Sequence, residues 1–538
     1  MRSIAFKGWF RALALTLSMV GAWAGCRCRP APEPAPAPSA RPAAPSLRLV
    51  LVSGIAGAIE PCGCVKDMLG GVDHAAAFLK RESGKPSLVL GAGPMLFMDP
   101  VPPAERRTQD VWKAEALVQG MREMGLRAWA PGANDFGVGS AELARMVGSE
   151  PALLAANLSQ NPAVTRPTAI FTVGGLRVGV AGLSRPASDG RLPEGVTTRD
   201  EQSELRSSAA ELKKQGASVR VALAAMPRGE ALRLAELVPD FHVMLIGKSS
   251  DAGESNDPIT PPVTVGRTLV VEAPNHLQAF YVVDLFVQDG RFEFENADAQ
   301  NERRADLERR ILELEHRLAL ARSNQAVSKA DIAARERDLA ALKKQKESEP
   351  KATDVPTTSY YRTSLVEVRE AHGSDDAVQK RLSDHYRRVN EHNKTAFQDR
   401  RPPPLAAGQS GYVGVEQCVN CHQEEYAFWS KTRHAKAYST LSNQHKEFNL
   451  DCVGCHVTGY EKPGGSTVTH VDAFKNVQCE VCHGPGSKHL ENPADANLII
   501  GRPDRGLCAP QCHHPPHVKP GWDVNAALPH ILGPGHGR

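Results

Sequence analysis

The sequence is poor in aromatic residues, carries almost no net charge, and has no cysteine between Cys64 and Cys418. Phenylalanine, tryptophan and tyrosine make up 5% of its 538 residues, and the net charge is only +3. Such a balanced charge gives no reason to expect a nucleic-acid partner. The hydrophobic fraction of 41% and the charged fraction of 23% are typical of globular proteins. The length predicts at least two domains.

The N-terminus has the features of an export signal over residues 1–25. Basic residues precede an apolar run from Ala12 to Trp23, which is too short for a convincing membrane span. The run ends in Trp-Ala-Gly-Cys26, which resembles a bacterial lipobox, although Trp23 stands where leucine is usual. We predict lipidation of Cys26, with ordinary signal-peptidase cleavage as the alternative. Residues 26–46 are rich in proline and alanine, which predicts an extended tether. The protein is therefore expected to be an exported lipoprotein that faces the periplasm or lies on the outer membrane of a bacterium.

Residues 47–295 predict an α/β domain, because short apolar runs alternate with helical stretches. Residues 300–349 are charged and helical, with Leu307, Ile311, Leu314 and Leu318 at heptad-like spacing. That spacing fits a helical hairpin, a coiled coil through which two copies dimerise, or a solvated amphipathic connector. Residues 350–410 are predicted to be a further connector, and residues 411–538 a separate domain.

Four cysteine-pair-plus-histidine motifs occupy that last domain. C-x-x-C-H is the attachment signature of c-type haem, in which two thiols bond the porphyrin and the histidine binds the iron. The candidate attachment residues and proximal iron ligands are Cys418, Cys421 and His422; Cys452, Cys455 and His456; Cys479, Cys482 and His483; and Cys508, Cys512 and His513. The motifs start 34, 27 and 29 residues apart. So few residues do not build an ordinary core around each cofactor, and four covalent haems are therefore expected to form much of the core themselves.

The last motif departs from the signature, because Cys508 and Cys512 are separated by three residues. We still predict a haem there. The alternatives are a disulfide, which leaves three haems, or a metal site using His513 or His514. Repeated C-x-x-C pairs also build zinc sites, but zinc ribbons require neither the adjacent histidine nor export.

The sixth iron ligand separates an electron-transfer haem from one with an open position for substrate. His434 is too far from His422 along a helix for both to bind one iron, so it is expected to serve a different haem. His489 follows a Gly-Pro-Gly turn that could direct it to a neighbouring haem. The candidate distal ligands are His434, His489, His517, His530 and His470; the remaining non-motif histidines of this domain, which are not favoured, are His445, His514 and His536.

From Tyr412 onward the chain resembles the tetrahaem cytochrome c family. The matching stretches are Cys418–His422, Thr432–Leu441, Cys452–Tyr460 and Val477–His489, with a looser match near His530. The resemblance implies covalent haem c, mostly bis-histidine ligation, and electron transfer outside the cytoplasm. Some relatives in this group are multihaem enzymes that act on nitrogen or sulfur compounds.

The α/β domain resembles the metallophosphoesterase domain of 5′-nucleotidases, which implies a layered sandwich. The resemblance rests on Leu49–Pro61, on Gly132–Gly139, and on Leu245–Ser250, which stands where a Gly-His-x-His motif belongs. Metal ligands are replaced throughout: the substituted positions are Gly54, Ala56, Pro94, Ala133, Asn134, Ala225, Lys248 and Ser250. Because a two-metal hydrolase needs oxygen and nitrogen donors at such places, we predict the fold without the chemistry.

Glu60-Pro61-Cys62-Gly63-Cys64 lies in the same region. The two thiols are expected to form a disulfide, or to take a redox or metal role with His74 and Asp135 as possible neighbours. The function predicted overall is electron transfer with redox partner proteins or quinol-oxidising complexes. The alternatives are a multihaem oxidoreductase acting on a small inorganic substrate at an open haem, and a metal-dependent phosphatase or nucleotidase. No catalytic residue is assigned.

Overall fold

The computed structural model describes residues 44–61, 68–160, 164–185, 195–253, 255–323, 327–348, 356, 358–507, 511–514, 517–518, 522–534 and 536. The predicted signal peptide, nearly all of the tether, and Cys26, Cys62, Cys64 and Cys508 lie outside these residues. From residue 44 onward the chain forms one compact unit. Within the described ranges, no helix combines the length and the apolar character needed to cross a bilayer.

The α/β domain contains two mixed sheets. Among the described residues the strands are, in chain order, β1 Leu47–Ser53, β2 Ser87–Gly93, β3 Leu126–Pro131, β4 Ala152–Leu153, β5 Leu158–Gln160, β6 Thr168–Val173, β7 Leu176–Ser184, β8 Val196–Thr198, β9 Val219–Ala225, β10 Val243–Gly247, β11 Val263–Val265, β12 Thr268–Glu272, β13 Ala279–Phe286, β14 Glu295–Asn296 and β15 Tyr360–Glu367. Seven strands form one sheet in the order β14-β15-β13-β1-β2-β3-β4, and six form the other in the order β11-β12-β10-β9-β7-β6. Strands β5 and β8 pair separately.

Helices flank the sheets. In the part of the chain described up to residue 400, the α-helices are α1 Val72–Arg81, α2 Arg107–Glu123, α3 Ser140–Val147, α4 Glu201–Lys214, α5 Arg228–Leu237, α6 Ala299–Ser323, α7 Lys329–Ser348 and α8 Asp376–Ala396. Two begin at an aspartate whose side chain accepts a hydrogen bond from the first turn: Asp200 before α4 and Asp375 before α8. This cap satisfies a backbone donor that the helix itself leaves unpaired.

The core is layered, as the alternation along β1 shows. Leu47, Leu49 and Leu51 point between the two sheets, whereas Val50 and Val52 point to the layer of helices outside the first sheet. Successive side chains of a strand face opposite sides, so a strand with both faces buried is apolar throughout. Helices α4 and α5 cover the outer face of the second sheet. The arrangement is a layered α/β sandwich, which confirms the predicted fold class.

The two sheets meet at the carboxyl ends of β2 and β10. A Cβ atom at Gly247 would lie 2.1 Å from the carbonyl oxygen of Ala92, so only glycine permits this approach. The loops that follow β1, β2 and β10 are thereby gathered at one edge. In α/β sheets this is the edge at which ligands bind.

The predicted boundary at residue 295 needs correction, because the segment assigned to a connector belongs to the α/β domain. Strand β15 pairs antiparallel with β13 along its whole length, from Tyr360 opposite Phe286 to Glu367 opposite Ala279. Helix α8 buries Val378 and Leu382 in the same core as helix α2. The pairing is non-local, and a sequence pattern does not reveal it.

The charged segment between β14 and β15 is a helical hairpin, the first of the three arrangements that its pattern allowed. Leu307, Ile311 and Leu318 of α6 are buried. The two helices run antiparallel and are joined by three ion pairs: Glu308 with Lys346, Glu315 with Lys343, and Arg322 with Glu336. The hairpin is an insertion that separates β15 from the rest of its sheet in sequence.

The C-terminal region is irregular and helical, as predicted. Its described α-helices are short: Val415–Cys418, Gln423–Trp429, Ala437–Ser442, Val453–His456, Cys479–His483, Ser487–Glu491 and Val524–Ala527. The buried apolar cluster of this region consists of Tyr438, Val453, Val457, Val468 and Val471. So small a cluster does not stabilise a region of this size. Bound groups are needed to complete its interior.

One buried histidine of α8 makes stability depend on pH. Both ring nitrogens of His385 are buried without a hydrogen-bond partner, and burial, reinforced by the charge of Lys113, lowers its pKa to about 4. Because this lies below the unfolded value of about 6.5, the stabilising contribution is complete above pH 6.5. It is lost as the pH falls toward 4.

We therefore expect the free energy of unfolding to fall by about 2 kcal/mol, because of His385 alone, when the pH is lowered from 7 to 5. Urea unfolding followed by circular dichroism, at both pH values, measures this cost. The variant His385→Leu has a similar volume and no titrating group, so its loss between pH 7 and pH 5 should be smaller by that amount. Equal losses in the two proteins would contradict the prediction.

Candidate haem-binding site

Each described C-x-x-C-H motif forms a short helical turn. In the first, the backbone N–H of His422 donates to the carbonyl of Cys418 at 3.0 Å. The second motif contains the helix Val453–His456, and the third is the helix Cys479–His483. Residues three and four apart lie on the same side of a helix. Both thiols and the imidazole of a motif therefore face one ligand from the same side.

All described motif residues line a single cavity of 2340 Å³. The eleven are Cys418, Cys421, His422, Cys452, Cys455, His456, Cys479, Cys482, His483, Cys512 and His513. A pocket for one drug-sized ligand measures about 300–1,000 Å³. The volume therefore suits several large groups side by side, as attachment of more than one haem requires.

Among the described residues of the C-terminal region, three pairs of histidine rings have their centres about 6 Å apart. The distances between ring centres are 6.5 Å for His422 and His489, 6.2 Å for His434 and His513, and 5.9 Å for His483 and His536. A metal between two opposed imidazoles sets the ring centres roughly 6.2 Å apart, from two metal–nitrogen bonds of about 2.0 Å and about 1.1 Å from each nitrogen to its ring centre. The three spacings match this value.

Several of these rings are also in the right protonation state for iron. Burial lowers the pKa of His434 and of His483, so both rings are neutral at pH 7, the form that binds a metal. The Nδ1 atom of His489 is buried without a hydrogen-bond partner. A buried ring nitrogen left unpaired in this way is a fitting donor to a metal.

Backbone carbonyls orient two of the motif histidines. Nδ1 of His456 lies 2.6 Å from the carbonyl oxygen of Ala437, and Nδ1 of His483 lies 2.7 Å from that of Ile500. With the proton on Nδ1 donated to the carbonyl, the lone pair of Nε2 is free to face the cavity. This is the common way in which proteins fix the tautomer of a metal-binding histidine.

The other predicted distal ligands differ in their positions. His517 and His530 line the cavity, and the ring of His517 packs edge-on against His514 at 4.8 Å. His470 lies outside the cavity, where its ring contacts Arg401 and the hydroxyl of Thr467. This position argues against His470 as an iron ligand. By contrast His536, which the sequence did not favour, faces His483.

A buried carboxylate and a buried amide hold the first and third motifs together, and neither was singled out from the sequence. The carboxylate of Glu480 accepts hydrogen bonds from the backbone N–H groups of Val413, Gly414 and Gly486. Oε1 of Gln478 accepts another from Val415 at 2.8 Å. Both residues lie within a stretch that carried the family resemblance, but only tertiary structure reveals these partners.

The motifs also contact one another. Cys418 and Cys479, from the first and third motifs, lie close enough for each thiol to shift the pKa of the other. The thiol of Cys455 in the second motif lies 3.6 Å from the carbonyl oxygen of Gln511, beside Cys512 in the fourth. The attachment points are therefore arranged as two neighbouring sets.

The edge where a phosphoesterase would bind its metals is internally neutralised. Nζ of Lys248 lies 3.3 Å from Oδ1 of Asp251 and 2.8 Å from Oδ1 of Asp257. The amide of Asn134 donates to backbone carbonyls, among them that of Phe97 at 3.0 Å. Within the described ranges, no three His, Cys, Asp or Glu side chains form a cluster able to hold a metal. These residues do not fit a two-metal hydrolase.

Comparison with known proteins agrees with the geometry of the C-terminal region. Residues 417–484 match the family model described as cytochrome c554 and c-prime. Cytochrome c-554 of Nitrosomonas europaea is 36% identical over 103 residues, which represent 15% of this chain and 44% of that protein. The chain thus spans less than half the length of this relative. The match confirms the cytochrome resemblance predicted from the motifs and supports haem c as the cofactor.

Two solved structures are similar in part. The 5′-nucleotidase precursor from Thermus thermophilus aligns with a TM-score of 0.44 and 17% identity, covering 66% of this chain and 61% of its own. Reduced cytochrome c554 from Nitrosomonas europaea aligns with a TM-score of 0.17 and 21% identity, covering 23% of this chain and 80% of its own.

Proposed function

We propose that the protein transfers electrons through four haem c groups attached at the four cysteine motifs. The observation that carries this proposal is the single large cavity, lined by every described motif residue. Haem c, once attached, supplies reversible one-electron oxidation and reduction. The chain supplies the anchors, the axial ligands and the enclosure.

The imidazole pairs assign distal ligands under this proposal. His489 is the partner of His422, His434 the partner of His513, and His536 the partner of His483. The pairings rest on ring spacings of 5.9 to 6.5 Å. His434 thus serves a different motif from its neighbour His422. His517 and His530, which also line the cavity, stay candidates.

The role of the chain is to fix these groups close together in one cavity. Glu480 and Gln478 accept hydrogen bonds from backbone N–H groups that precede the first motif, which ties the first motif to the third. At the three motifs that have a neighbouring imidazole, two histidines would occupy both ligand positions of the iron, which suits electron transfer rather than substrate binding. Rigid packing also limits reorganisation when a charge arrives.

Export and anchoring complete the proposal. The basic and apolar start of the chain, the lipobox-like segment ending at Cys26, and the tether that follows support a lipid-anchored protein outside the cytoplasmic membrane. Redox partner proteins or quinol-oxidising complexes would then exchange electrons with it. A dimer through residues 300–349 is part of the same proposal.

The haem content of the purified, fully matured protein tests the proposal. We expect a pyridine haemochrome assay to give four haems per chain, and intact-mass measurement to show four covalent additions. A count of three haems would indicate that the motif at Cys512 binds no haem and would favour a disulfide or a metal site there. A colourless protein without a Soret band would overturn the proposal.

Electron paramagnetic resonance distinguishes the oxidoreductase alternative. An electron carrier with two protein ligands on each iron gives low-spin signals throughout. A stoichiometric high-spin signal in the native protein would instead mean an open iron position and would favour the enzyme that acts on a small inorganic nitrogen or sulfur substrate.

A further inference from the structure

The segment that precedes the second haem motif is bound to the α/β domain by polar contacts. The contacts between side chains are Gln109 with Asn449, Arg106 and Lys113 with Asp451, and Glu60 with Lys446. The backbone takes part as well: Asn390 and Asn393 bind the N–H and carbonyl of Phe448, and Gln109 accepts from the N–H of Leu450. These contacts lie within residues 446–451, immediately before Cys452. The α/β domain therefore forms a wall beside this anchor.

Charges of the α/β domain act on the anchor itself. The pKa of the Cys452 thiol is raised to about 12, mainly by burial and then by the charges of Asp451 and Glu60, whereas Lys446 and Lys113 lower it. Of these four charged residues, Glu60 and Lys113 belong to the α/β domain. The charges that act on Cys418 and Cys479 include Glu480, and for Cys479 also Glu425, which belong to the C-terminal region itself.

Glu60 and Lys446 form the part of this wall that is best placed to act on a bound group. Their side chains are paired across the domain boundary and are 24% and 13% exposed. The ammonium of Lys446 also lies 4.2 Å from the centre of the Tyr386 ring, and both carboxylate and ammonium line the haem cavity. At such partly buried positions the field of a charge is screened less than at the surface.

The sign of each effect follows from electrostatics. Ferric iron carries one positive charge more than ferrous iron. A nearby carboxylate therefore stabilises the oxidised state and lowers the reduction potential, whereas a nearby ammonium raises it. Since Glu60 and Lys446 both act at Cys452, removal of either one should shift the same centre, in opposite directions.

We propose that Glu60 and Lys446 tune the reduction potential of the haem anchored at Cys452, so that the α/β domain serves as the electrostatic wall of this one haem site. The inference rests on the proposed function. It gives the domain that lost its metal ligands a role in the redox centre: the edge that would hold a hydrolytic substrate faces the haem cavity instead.

Redox titration of the full-length, haem-loaded protein tests this inference. In Glu60→Gln we expect one of the four midpoint potentials to rise, and in Lys446→Met we expect the same one to fall, with the other three unchanged. The double variant should lie close to the wild type. Lys380→Met removes one member of an exposed ion pair elsewhere on α8, with 75% and 53% exposure, and should leave all four potentials unchanged.

Haem counting on every variant separates the possible failures. If the wild-type protein holds no haem, the proposed function fails. If it holds four haems, and both variants either leave all potentials unchanged or move them in the same direction, only the inference about Glu60 and Lys446 is overturned. Should Lys446→Met lose haem, the near-isosteric Glu60→Gln still decides, because a fall or no change in the affected potential contradicts the proposal.

Discussion

Replacing His489 with alanine is expected to convert one low-spin haem centre to high spin. The ring of His489 lies 6.5 Å from that of His422, and its buried Nδ1 has no hydrogen-bond partner in the protein. The substitution leaves His422 in place and removes the imidazole on the opposite side of the site. An iron with one protein ligand is high-spin or binds water or an added ligand.

Electron paramagnetic resonance and the visible spectrum of the oxidised protein measure the conversion. One low-spin signal should disappear and a high-spin signal should appear, while the haem count stays constant because the anchors Cys418 and Cys421 are intact. His434→Ala should act in the same way on the centre that includes His513. His445→Ala is the control, since His445 does not line the cavity. An unchanged spectrum in both His489→Ala and His434→Ala would refute the distal assignments.

The anchors can be predicted from local sequence alone, whereas the distal ligands depend on tertiary structure, for a physical reason. Cys418, Cys421 and His422 act within one helical turn, so their spacing alone carries the information. A distal histidine is brought to its partner by tertiary structure: His434 faces His513, although the two residues are far apart in the chain. His536 lies in a Gly-Pro-Gly-His-Gly segment outside the stretches that match the family, so its local sequence gives no reason to favour it over His530.

The fold shows the same division between local and non-local information. The strands of the α/β domain are predictable because both of their faces are buried and their apolar runs are continuous, as in β1 and β9. The assignment of β15 to a connector is wrong because its pairing with β13 crosses an inserted hairpin of two charged helices. A periodic pattern locates an element but does not identify its neighbour.

The substituted metal motifs illustrate a third case. The sequence shows that ligands are missing at positions such as Ala133 and Lys248, which argues against the hydrolytic alternative. It does not show which interactions stabilise this edge of the sheets without metal ions. In the structure, Lys248 supplies positive charge to Asp251 and Asp257. Beside it, Asp135 has become a structural carboxylate that binds the backbone.

Loss of the Asp135 carboxylate should therefore destabilise the α/β domain severely. Oδ1 accepts hydrogen bonds from the N–H groups of Met95 and Leu96 at 2.8 Å, and Oδ2 accepts from Gly132 at 2.9 Å and from the indole of Trp129 at 3.4 Å. Burial raises the pKa of Asp135 to about 6, although the hydrogen bonds from these donors lower it. Asp135→Ala leaves four buried donors unpaired at about 1–3 kcal/mol each, not fully additive, so we expect a loss of at least about 4 kcal/mol.

Urea unfolding at pH 7, followed by far-ultraviolet circular dichroism, measures this loss. Asp135→Asn keeps the shape of the side chain but places an amide N–H group against the backbone N–H donors. Its loss of stability should therefore lie between those of the wild type and Asp135→Ala. Asp472→Ala is the matched control: its side chain is 95% exposed, and its effect should stay within about 0.5 kcal/mol. A loss below about 1 kcal/mol in Asp135→Ala would contradict the structural role. Because the carboxylate is held by backbone donors rather than by an ion, adding Mn²⁺ or a chelator should leave the wild-type value unchanged.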